Sequence, residues 1–469
     1  MKLLQSFYIL ILTPFSKLKI NRTIRHVVIG ICFAVLMALL LIAYSYKLLG
    51  FKPDLLKQSL VECLLIMIII IMSIEGKLSL VSWKNGLSRC WFLCSGLIIA
   101  SSFDHEVGAG IRPLGFMMFF IFPALYFVWN NRNDYEILYQ LAAKGICIVT
   151  TIYFIICTMF IPLSTANDFG YRYVGTTTNP NFIGMISVVV IISALYLIAN
   201  GNRYAILYMI LAGYASMYTV AAISRTSLLI IVALILVFSI YYFRQKVCNG
   251  IEPLKVVLRY VITMALLLNF ALAIPISAYV FDMKAIDDKE QRTQEQTAVE
   301  MQPEKETVSN AKASAGLAFN RFQLDGSDTR EISSGRTVVW KAYLKSMNLR
   351  GHNGEKLLYI EEYGGTEWAH NTALELGYRS GILVGILFFI VEIFSGIYIL
   401  LCLFGKKRNK SYHFFTMLAI TAFGIYSVLE VAIFPFGTPP VLLYFISLAP
   451  LFNCRSGIKP IEGDKIISN

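Results

Sequence analysis

The sequence predicts an all-α polytopic membrane protein with about twelve transmembrane helices and one long extracytoplasmic loop. Hydrophobic residues make up 57% of the chain and charged residues only 15%, and the mean hydropathy is +0.64. The apolar residues also form long runs separated by polar loops. Because a helix needs roughly 20 apolar residues to cross roughly 30 Å of hydrocarbon, we expect these runs to be membrane spans.

Twelve apolar runs are candidate spans on this criterion. They cover residues 26–47, 58–75, 88–103, 113–130, 143–162, 182–200, 203–221, 226–243, 257–280, 373–404, 412–433 and 439–453. The third and the twelfth are short, so counts of ten and eleven stay open. The first run follows a basic segment but lacks a small-residue cleavage pattern, and we therefore expect a retained span rather than a signal peptide.

Lysine and arginine are distributed unequally between the loops. Most of them, including the run from Lys406 to Lys410, fall on the side that also holds both termini. The positive-inside rule therefore predicts cytoplasmic termini and an extracytoplasmic long loop. The expected organisation is spans one to nine in residues 1–280, the loop with short amphipathic helices in 281–371, and spans ten to twelve with a cytoplasmic tail in 372–469. The net charge of +12 forms no basic stripe, which argues against nucleic acid as a partner.

The long loop divides by composition into two parts. Residues 282–312 are rich in Asp, Glu, Gln, Thr and Ala, which is typical of a solvated segment. Further on, Val339, Tyr343 and Met347 recur at helical spacing and predict a short amphipathic helix on the outer membrane face. Ser333 or Ser334 is a plausible cap, which puts Arg336 in the first turn.

Two shorter outer loops also carry polar residues. Asn179-Pro180-Asn181 is a turn followed by a helix start, so its backbone N–H groups are placed to face an anion. Arg225 lies in the tight turn between the seventh and eighth spans. A charged side chain at the ends of two apolar helices costs roughly 2.5 kcal/mol or more if it is drawn to the membrane centre. Such a residue is therefore usually retained where it has a partner. Contact with lipid phosphates is the plainer interpretation of such an arginine.

An earlier outer loop contains Asp104-His105-Glu106, which resembles an acid and base cluster. No partner motif accompanies it, and we interpret it as a solvated turn. A place along the path of an acceptor substrate is the alternative.

The order of these motifs resembles the bacterial O-antigen ligase and O-antigen (surface polysaccharide) polymerase family. The resemblance covers roughly residues 170–385 and comprises Arg172 with Gly175 and Asn179-Pro180-Asn181, Ser224-Arg225-Thr226, Ser334-Gly335-Arg336 with Trp340, and Ala369-His370-Asn371 with Gly377 and Gly381. Each motif is short, and the specificity comes from their order and outward placement. Where the family often has Gly-x-Gly, this chain has Arg350-Gly351-His352-Asn353-Gly354, so His352 competes with His370 for the chemical role.

The resemblance implies a GT-C-like membrane glycosyltransferase that acts on undecaprenyl-diphosphate-linked oligosaccharide outside a bacterial plasma (inner) membrane. It implies catalytic roles for His370 and Arg336. The candidates for substrate binding are Arg225, Arg172, Asn179, Asn181 and His352. Arginine stays charged and offers a planar fork of donors, so it stabilises a departing diphosphate without a metal or cofactor. A neutral imidazole can take the proton of a sugar hydroxyl.

The favoured function is a polymerase that joins lipid-linked repeat units of an O-antigen, capsule or exopolysaccharide, with the bilayer and a chain-length regulator as candidate partners. The alternative is an O-antigen ligase that moves the glycan to the lipid A core of lipopolysaccharide or to another acceptor. The sequence does not separate them, because both use the same donor. A transporter of lipid-linked sugar is less favoured, because the charged candidates lie at one face and ionisable residues within the spans are few, namely Lys144, Glu375 and Glu392.

Overall fold

The computed structural model describes residues 1–45, 55–104, 111–132, 134–161, 172–248, 335–352, 358–361, 365–405 and 411–453. The predicted ninth span, the acidic segment 282–312 and the predicted caps Ser333 and Ser334 lie outside the described residues.

The architecture is that of an all-α polytopic membrane protein. In the described part, seven helices are long and apolar enough to cross a membrane: α2 (Arg22–Tyr44), α5 (Arg112–Arg132), α6 (Tyr135–Phe160), α7 (Pro180–Ala199), α9 (Arg225–Cys248), α12 (Ile382–Phe404) and α13 (Ser411–Leu429). Shorter apolar helices are α3 (Leu55–Met72), α4 (Gly86–Ser102), α8 (Ala205–Ala221) and α14 (Pro439–Ser447) with α15 (Ala449–Phe452). Apart from the ninth, which lies outside the described residues, and the first part of the tenth, each predicted span coincides with apolar helix.

The remaining elements lie outside these apolar helices. They are α1 (Lys2–Ser16), α10 (Arg336–Ser346), α11 (Thr372–Ser380) and an antiparallel pair of short strands, β1 (Leu358–Ile360) and β2 (Gly365–Glu367). The sequence analysis did not predict α1. Its Tyr8 hydroxyl donates to the carbonyl of Phe120 at 2.8 Å, within a π turn of α5. A π turn widens the helical ladder, so its carbonyls are open to side-chain donors.

The centre of the bundle is α7. In its most apolar stretch 89% of α7 is buried by the rest of the protein, whereas the corresponding fraction of α12 is 28%. A Cβ on Gly184 of α7 would overlap the hydroxyl of Ser227 in α9. The small residue thus lets α7 and α9 approach closely, as small residues do between membrane helices.

Hydrogen bonds join the helix ends at one face of the bundle, which we call the site end. They run from Ser45 to Thr176 at 2.6 Å, from Ser227 to Tyr426 at 2.6 Å and from Arg172 to the carbonyl of Ala222 at 3.0 Å. At the opposite face Arg25 donates to the carbonyl of Ile74 and Arg132 pairs with Glu75. Alternate helix ends therefore share a face, which is the arrangement expected for consecutive spans.

The predicted tenth span, residues 373–404, is not one helix. Gly381, with φ 102° and ψ 149°, separates α11 from α12. At this break the backbone N–H of Ile382 donates to the carbonyl of Asn348 at 2.8 Å, and a Cβ on Gly381 would overlap the carbonyl of Leu349. The loop that follows α10 thus fills the break, and the apolar span begins at Ile382.

Candidate functional site

Arg336 and His370 meet at one carboxylate, that of Glu430. The Nη2 of Arg336 lies 2.9 Å from Oε1 of Glu430, and the Nδ1 of His370 lies 3.4 Å from Oε2. The side chains of Arg336, His370 and Glu430 are 22%, 33% and 13% exposed. The two residues predicted to be catalytic therefore form a partly enclosed cluster that a ligand can reach.

Arg336 is the first residue of α10, where the sequence predicted a short amphipathic helix. Gly335 caps this helix with a left-handed backbone, φ 75°. The inner face of α10 packs into a small core formed by Val339, Tyr343, Ile360, Ala369 and Tyr378. Burial, with a further effect of the nearby Glu375 carboxylate, raises the pKa of the Tyr343 phenol above its ordinary value. This core holds the helix that carries Arg336 against the segment that carries His370.

His370 has a left-handed backbone, φ 47°, and stands directly before α11. Left-handed backbone is uncommon for residues other than glycine and often marks a functional turn. Asn371 then caps the helix, since its Oδ1 accepts from the N–H of Leu374 at 2.9 Å. The turn directs the His370 ring towards Glu430 rather than along α11.

Thr372 fixes the start of α11 to the segment that holds Glu430. Its hydroxyl donates to the backbone carbonyl of Glu430 at 3.2 Å and accepts from the N–H of Ala432 at 3.0 Å. These bonds are made by backbone and hydroxyl groups, so they leave the Glu430 carboxylate to Arg336 and His370. The positions of His370 and Glu430 are thus set by the same residue.

A buried ion pair within α11 contacts the segment directly before His370. The Nε of Arg379 lies 2.6 Å from Oε1 of Glu375, and Oε2 of Glu375 accepts from the N–H of Ala369 at 3.0 Å. Arg379 also lies over the ring of Trp368, 5.0 Å from its centroid. Glu375 therefore joins α11 to the residue directly before His370.

Arg172, Asn179 and Asn181 form a second cluster at the site end. The Nη2 of Arg172 donates to Oδ1 of Asn181 at 3.2 Å. Asn179 caps α7, and its Oδ1 accepts from the N–H of Asn181 at 2.9 Å. The structure thus brings together three of the residues predicted to bind substrate, at the start of the central helix.

Arg225 lies between the two clusters. It is exposed and is the first residue of α9. Two residues before it, Ile223 has a left-handed backbone with φ 51°. Two residues into α9, Ser227 is hydrogen-bonded to Tyr426 at 2.6 Å, and Tyr426 is one helical turn before Glu430. The start of α9 therefore lies beside the end of α13, and Arg225 shares the site end with Arg336 and His370.

The helices that carry the candidate residues, α7, α9, α10 and α11, begin at the site end. The N-terminus of a helix carries partial positive charge and unpaired N–H groups, which favour an anion. Arg172, Arg225 and Arg336 add three positive charges near these helix starts, and Glu430 adds one negative charge to the cluster of Arg336 and His370. The surroundings of these helix starts therefore carry an excess of positive charge, which suits an anion.

His352 lies apart from the Glu430 cluster in the described structure. Its Nδ1–H donates to the carbonyl of Tyr378 at 3.1 Å, and its Nε2 accepts from Nδ2 of Asn348 at 3.2 Å. The ring also stacks on Tyr378, with centroids 4.3 Å apart. The geometry thus joins His370, rather than His352, to Arg336, and a substrate contact for His352 stays a prediction.

The sequence analysis missed Glu430. It lies inside the predicted eleventh span, residues 412–433, whereas α13 ends one residue earlier at Leu429. The available signal was an ionisable residue within an apolar run, a feature that indicates a functional residue by default.

Among the described residues, no group of three or more His, Cys, Asp or Glu side chains is placed to hold a metal ion.

Comparison of the chain with protein-family models, with curated proteins and with solved structures found no match.

Proposed function

We propose that this chain is a glycosyltransferase of a bacterial plasma membrane that joins undecaprenyl-diphosphate-linked oligosaccharide repeat units into a surface polysaccharide. In this proposal it has about twelve spans in a GT-C-like arrangement, both termini are cytoplasmic, and the long loop and the site end face outwards. The observation that carries the proposal is the shared contact of Arg336 and His370 with Glu430.

His370 is the proposed general base. A carboxylate accepts from N–H, so the contact with Glu430 favours the tautomer with the proton on Nδ1 and leaves Nε2 as the basic nitrogen. A carboxylate that orients a histidine in this way also stabilises the imidazolium that forms when the base takes a proton. Glu430 is therefore a positioning residue for His370.

Arg336 is the proposed binder of the leaving group. Its guanidinium has five N–H donors, so it can hold Glu430 and still donate to phosphate oxygens. Arg225 and Arg172 supply further charge on the same face. Stabilising the charge that develops on a departing group is usually the largest catalytic contribution of such a site.

The proposed reaction is one displacement at the anomeric carbon of the donor. The acceptor hydroxyl oxygen forms a bond to that carbon while its proton passes to Nε2 of His370. The bond from the anomeric carbon to the diphosphate oxygen breaks, and undecaprenyl diphosphate leaves with the electron pair. Imidazolium and diphosphate charges are then balanced by Glu430 and the arginines.

The acceptor distinguishes the polymerase from the ligase. A polymerase uses a second lipid-linked unit, whereas a ligase uses the lipid A core or another acceptor. In cells that lack the protein, single repeat units on the lipid carrier would support the polymerase. Long chains that accumulate without attachment would instead support the ligase.

A transporter of lipid-linked sugar needs a driving gradient or an alternating cavity. The sequence analysis counted Lys144, Glu375 and Glu392 as the ionisable residues within the spans and did not include Glu62 of α3. Glu62 is buried and accepts a hydrogen bond from Nε2 of Gln58 at 2.9 Å. A bonded carboxylate within a span is compatible with ion coupling, so the transporter requires its own test.

The decisive experiment uses the full-length protein in lipid nanodiscs, where no gradient exists, with undecaprenyl-diphosphate-linked repeat units as the only substrate. We expect longer glycans, with one undecaprenyl diphosphate released for each glycosidic bond formed, and neither product with His370→Ala. Substrate that remains unchanged with the folded wild-type protein would overturn the proposal.

A further inference from the structure

A second feature of the same face is a cleft of about 250 Å³. One side is formed by the end of α4 and by Asp104, which follows it. The other side is formed by the loop after α10 and by the break between α11 and α12. Its lining residues are Leu97, Ala100, Ser101, Asp104, Leu349, Arg350, Ser380, Leu383 and Val384. We propose that this cleft is a sugar-binding subsite for the acceptor glycan, an inference that rests on the proposed function.

The walls of the cleft are fixed by backbone contacts. The N–H of His352 donates to the carbonyl of Tyr378 at 2.9 Å, as that of Ile382 does to the carbonyl of Asn348. Gly351 has a left-handed backbone, φ 92°, and a Cβ there would overlap the carbonyl of Arg379. The loop that carries Arg350 is therefore clamped to the helix break, and the cleft is formed before any ligand arrives. A preformed site binds more tightly, because less conformational freedom is lost on binding.

The chemistry of the lining suits a neutral polyol. Arg350 and Asp104 are its charged members, and they form an ion pair that leaves the lining without net charge. A sugar hydroxyl both donates and accepts, so it can bond to a carboxylate and a guanidinium together. The hydroxyl of Ser380 is buried and has no hydrogen-bond partner among the described residues. Apolar side chains complete the floor, against which the C–H face of a ring can pack.

An anionic headgroup suits this lining less well. A phosphate would meet the Asp104 carboxylate as well as Arg350, and like charges at contact distance repel. The arginines near Glu430 have an excess of positive charge, whereas this cleft does not. The two regions therefore favour different parts of a lipid-linked sugar, the diphosphate at one and the glycan at the other.

The size and place of the cleft agree with this division. Ligand pockets for larger molecules occupy roughly 300–1,000 Å³, so a volume of about 250 Å³ suits a single ring. The cleft and the His370 turn lie at opposite ends of α11, a nine-residue helix that rises about 1.5 Å per residue. A glycan held in the cleft must therefore extend along α11 to bring its reacting hydroxyl to His370.

Asp104 belongs to the outer-loop motif that the sequence left between a solvated turn and the acceptor path. The structure places it in the cleft, beside Arg350, which is distant in sequence. The neighbouring His105 and Glu106 lie outside the described residues.

The test measures binding of a glycan that carries no lipid and no phosphate. The probe is the repeat-unit oligosaccharide released by mild acid from the lipid carrier of the native host. Binding to the full-length protein in nanodiscs is followed by saturation-transfer NMR and calorimetry. We expect binding to the wild type and a loss of affinity of about tenfold or more in Asp104→Asn, as one charge-assisted hydrogen bond is lost.

A second variant keeps the test independent of that ion pair. Ala100→Phe fills the cleft from an exposed position of α4, and we expect it to abolish oligosaccharide binding. Leu93→Phe is the matched control, because Leu93 is exposed on the same helix and does not line the cleft. Unfolding followed by tryptophan fluorescence checks that all three variants are folded.

The outcomes separate this inference from the proposed function. Oligosaccharide binding that is unchanged in both Asp104→Asn and Ala100→Phe overturns the subsite, whether or not the protein transfers sugar. Binding that is lost in both, in a protein without transferase activity, overturns the proposed function and leaves a sugar-binding site. Displacement of the oligosaccharide by inorganic phosphate would assign the cleft to an anion and overturn the subsite.

Discussion

Arg336 and Glu430 are joined by an ion pair of 2.9 Å between Nη2 and Oε1, although 94 residues separate them in the chain. The pair connects the start of α10 with the end of α13. Because both side chains are largely enclosed, the contact is screened less than one on an open surface. It therefore adds to the small core beneath α10 in holding this helix on the bundle.

Glu430→Gln is expected to lower transfer by at least about 100-fold, since the amide keeps the shape but cannot balance the imidazolium of a general base. Initial rates in nanodiscs at equal protein content measure this effect. Glu361→Gln, at an exposed carboxylate, is the control and should be neutral. Activity near that of the wild type in Glu430→Gln would mean that Glu430 only attaches α10 to the bundle.

Arg336→Ala is expected to abolish transfer, and Arg336→Lys to restore only a small part of it. An ammonium group keeps the charge but lacks the planar fork of donors that a diphosphate and Glu430 can share. The matched control is Lys341→Ala, an exposed cation of the same helix. Equal activity of Arg336→Lys and the wild type would show that charge alone is sufficient.

His370→Ala and His352→Ala should affect different properties, namely turnover and thermal stability. His370→Ala removes the proposed base and should abolish product while the protein remains in the membrane. His352→Ala removes the two side-chain bonds to Tyr378 and Asn348, each contributing about 1 kcal/mol, and should mainly lower the melting temperature. Equal loss of turnover in both variants would indicate that His352 takes part in the chemistry.

EDTA is expected to leave transfer unchanged, because the proposed stabilisation of the diphosphate comes from guanidinium groups. The measurement compares rates before and after chelation and after readdition of Mg²⁺. Inhibition that Mg²⁺ reverses would contradict stabilisation by arginine alone.

Glu375→Ala should destabilise the protein by about 3–5 kcal/mol, because it leaves the enclosed Arg379 without its partner. The double variant Glu375→Leu with Arg379→Met should recover most of the thermal stability, since apolar side chains of similar volume can replace a buried pair. Transfer should stay low in the double variant, as the N–H of Ala369 has lost its acceptor. Recovery of both properties would show that Glu375 has no part in orienting His370.

Hydropathy was sufficient to predict where most apolar helices lie, because burial in lipid requires long apolar runs whatever the tertiary contacts are. It failed at residues 373–404, where Gly381 separates a short helix that carries Glu375 and Arg379 from the apolar span that begins at Ile382. The break depends on the loop that reaches it through Asn348, and that contact is not encoded by local composition. The short helix that starts at Arg336 was predicted from its apolar spacing.

The site was predictable as separate motifs but not as an arrangement. Arg336 and His370 were predicted from their motifs, whereas Glu430 was assigned to the predicted eleventh span, residues 412–433. Its contacts with both residues depend on the tertiary structure, in which α13 ends at Leu429 and the Glu430 carboxylate lies beside Arg336 and His370. The pairing of Asp104 with Arg350 is likewise a product of tertiary structure.

The left-handed backbone of Ile223 has a consequence for engineering heat resistance. A β-branched residue in that conformation costs about 1–2 kcal/mol, which a glycine would relieve. The same turn sets the direction in which α9 leaves and therefore where Arg225 points. A glycine can adopt the same backbone, so a variant stabilised at this position should be checked for unchanged turnover before it is adopted.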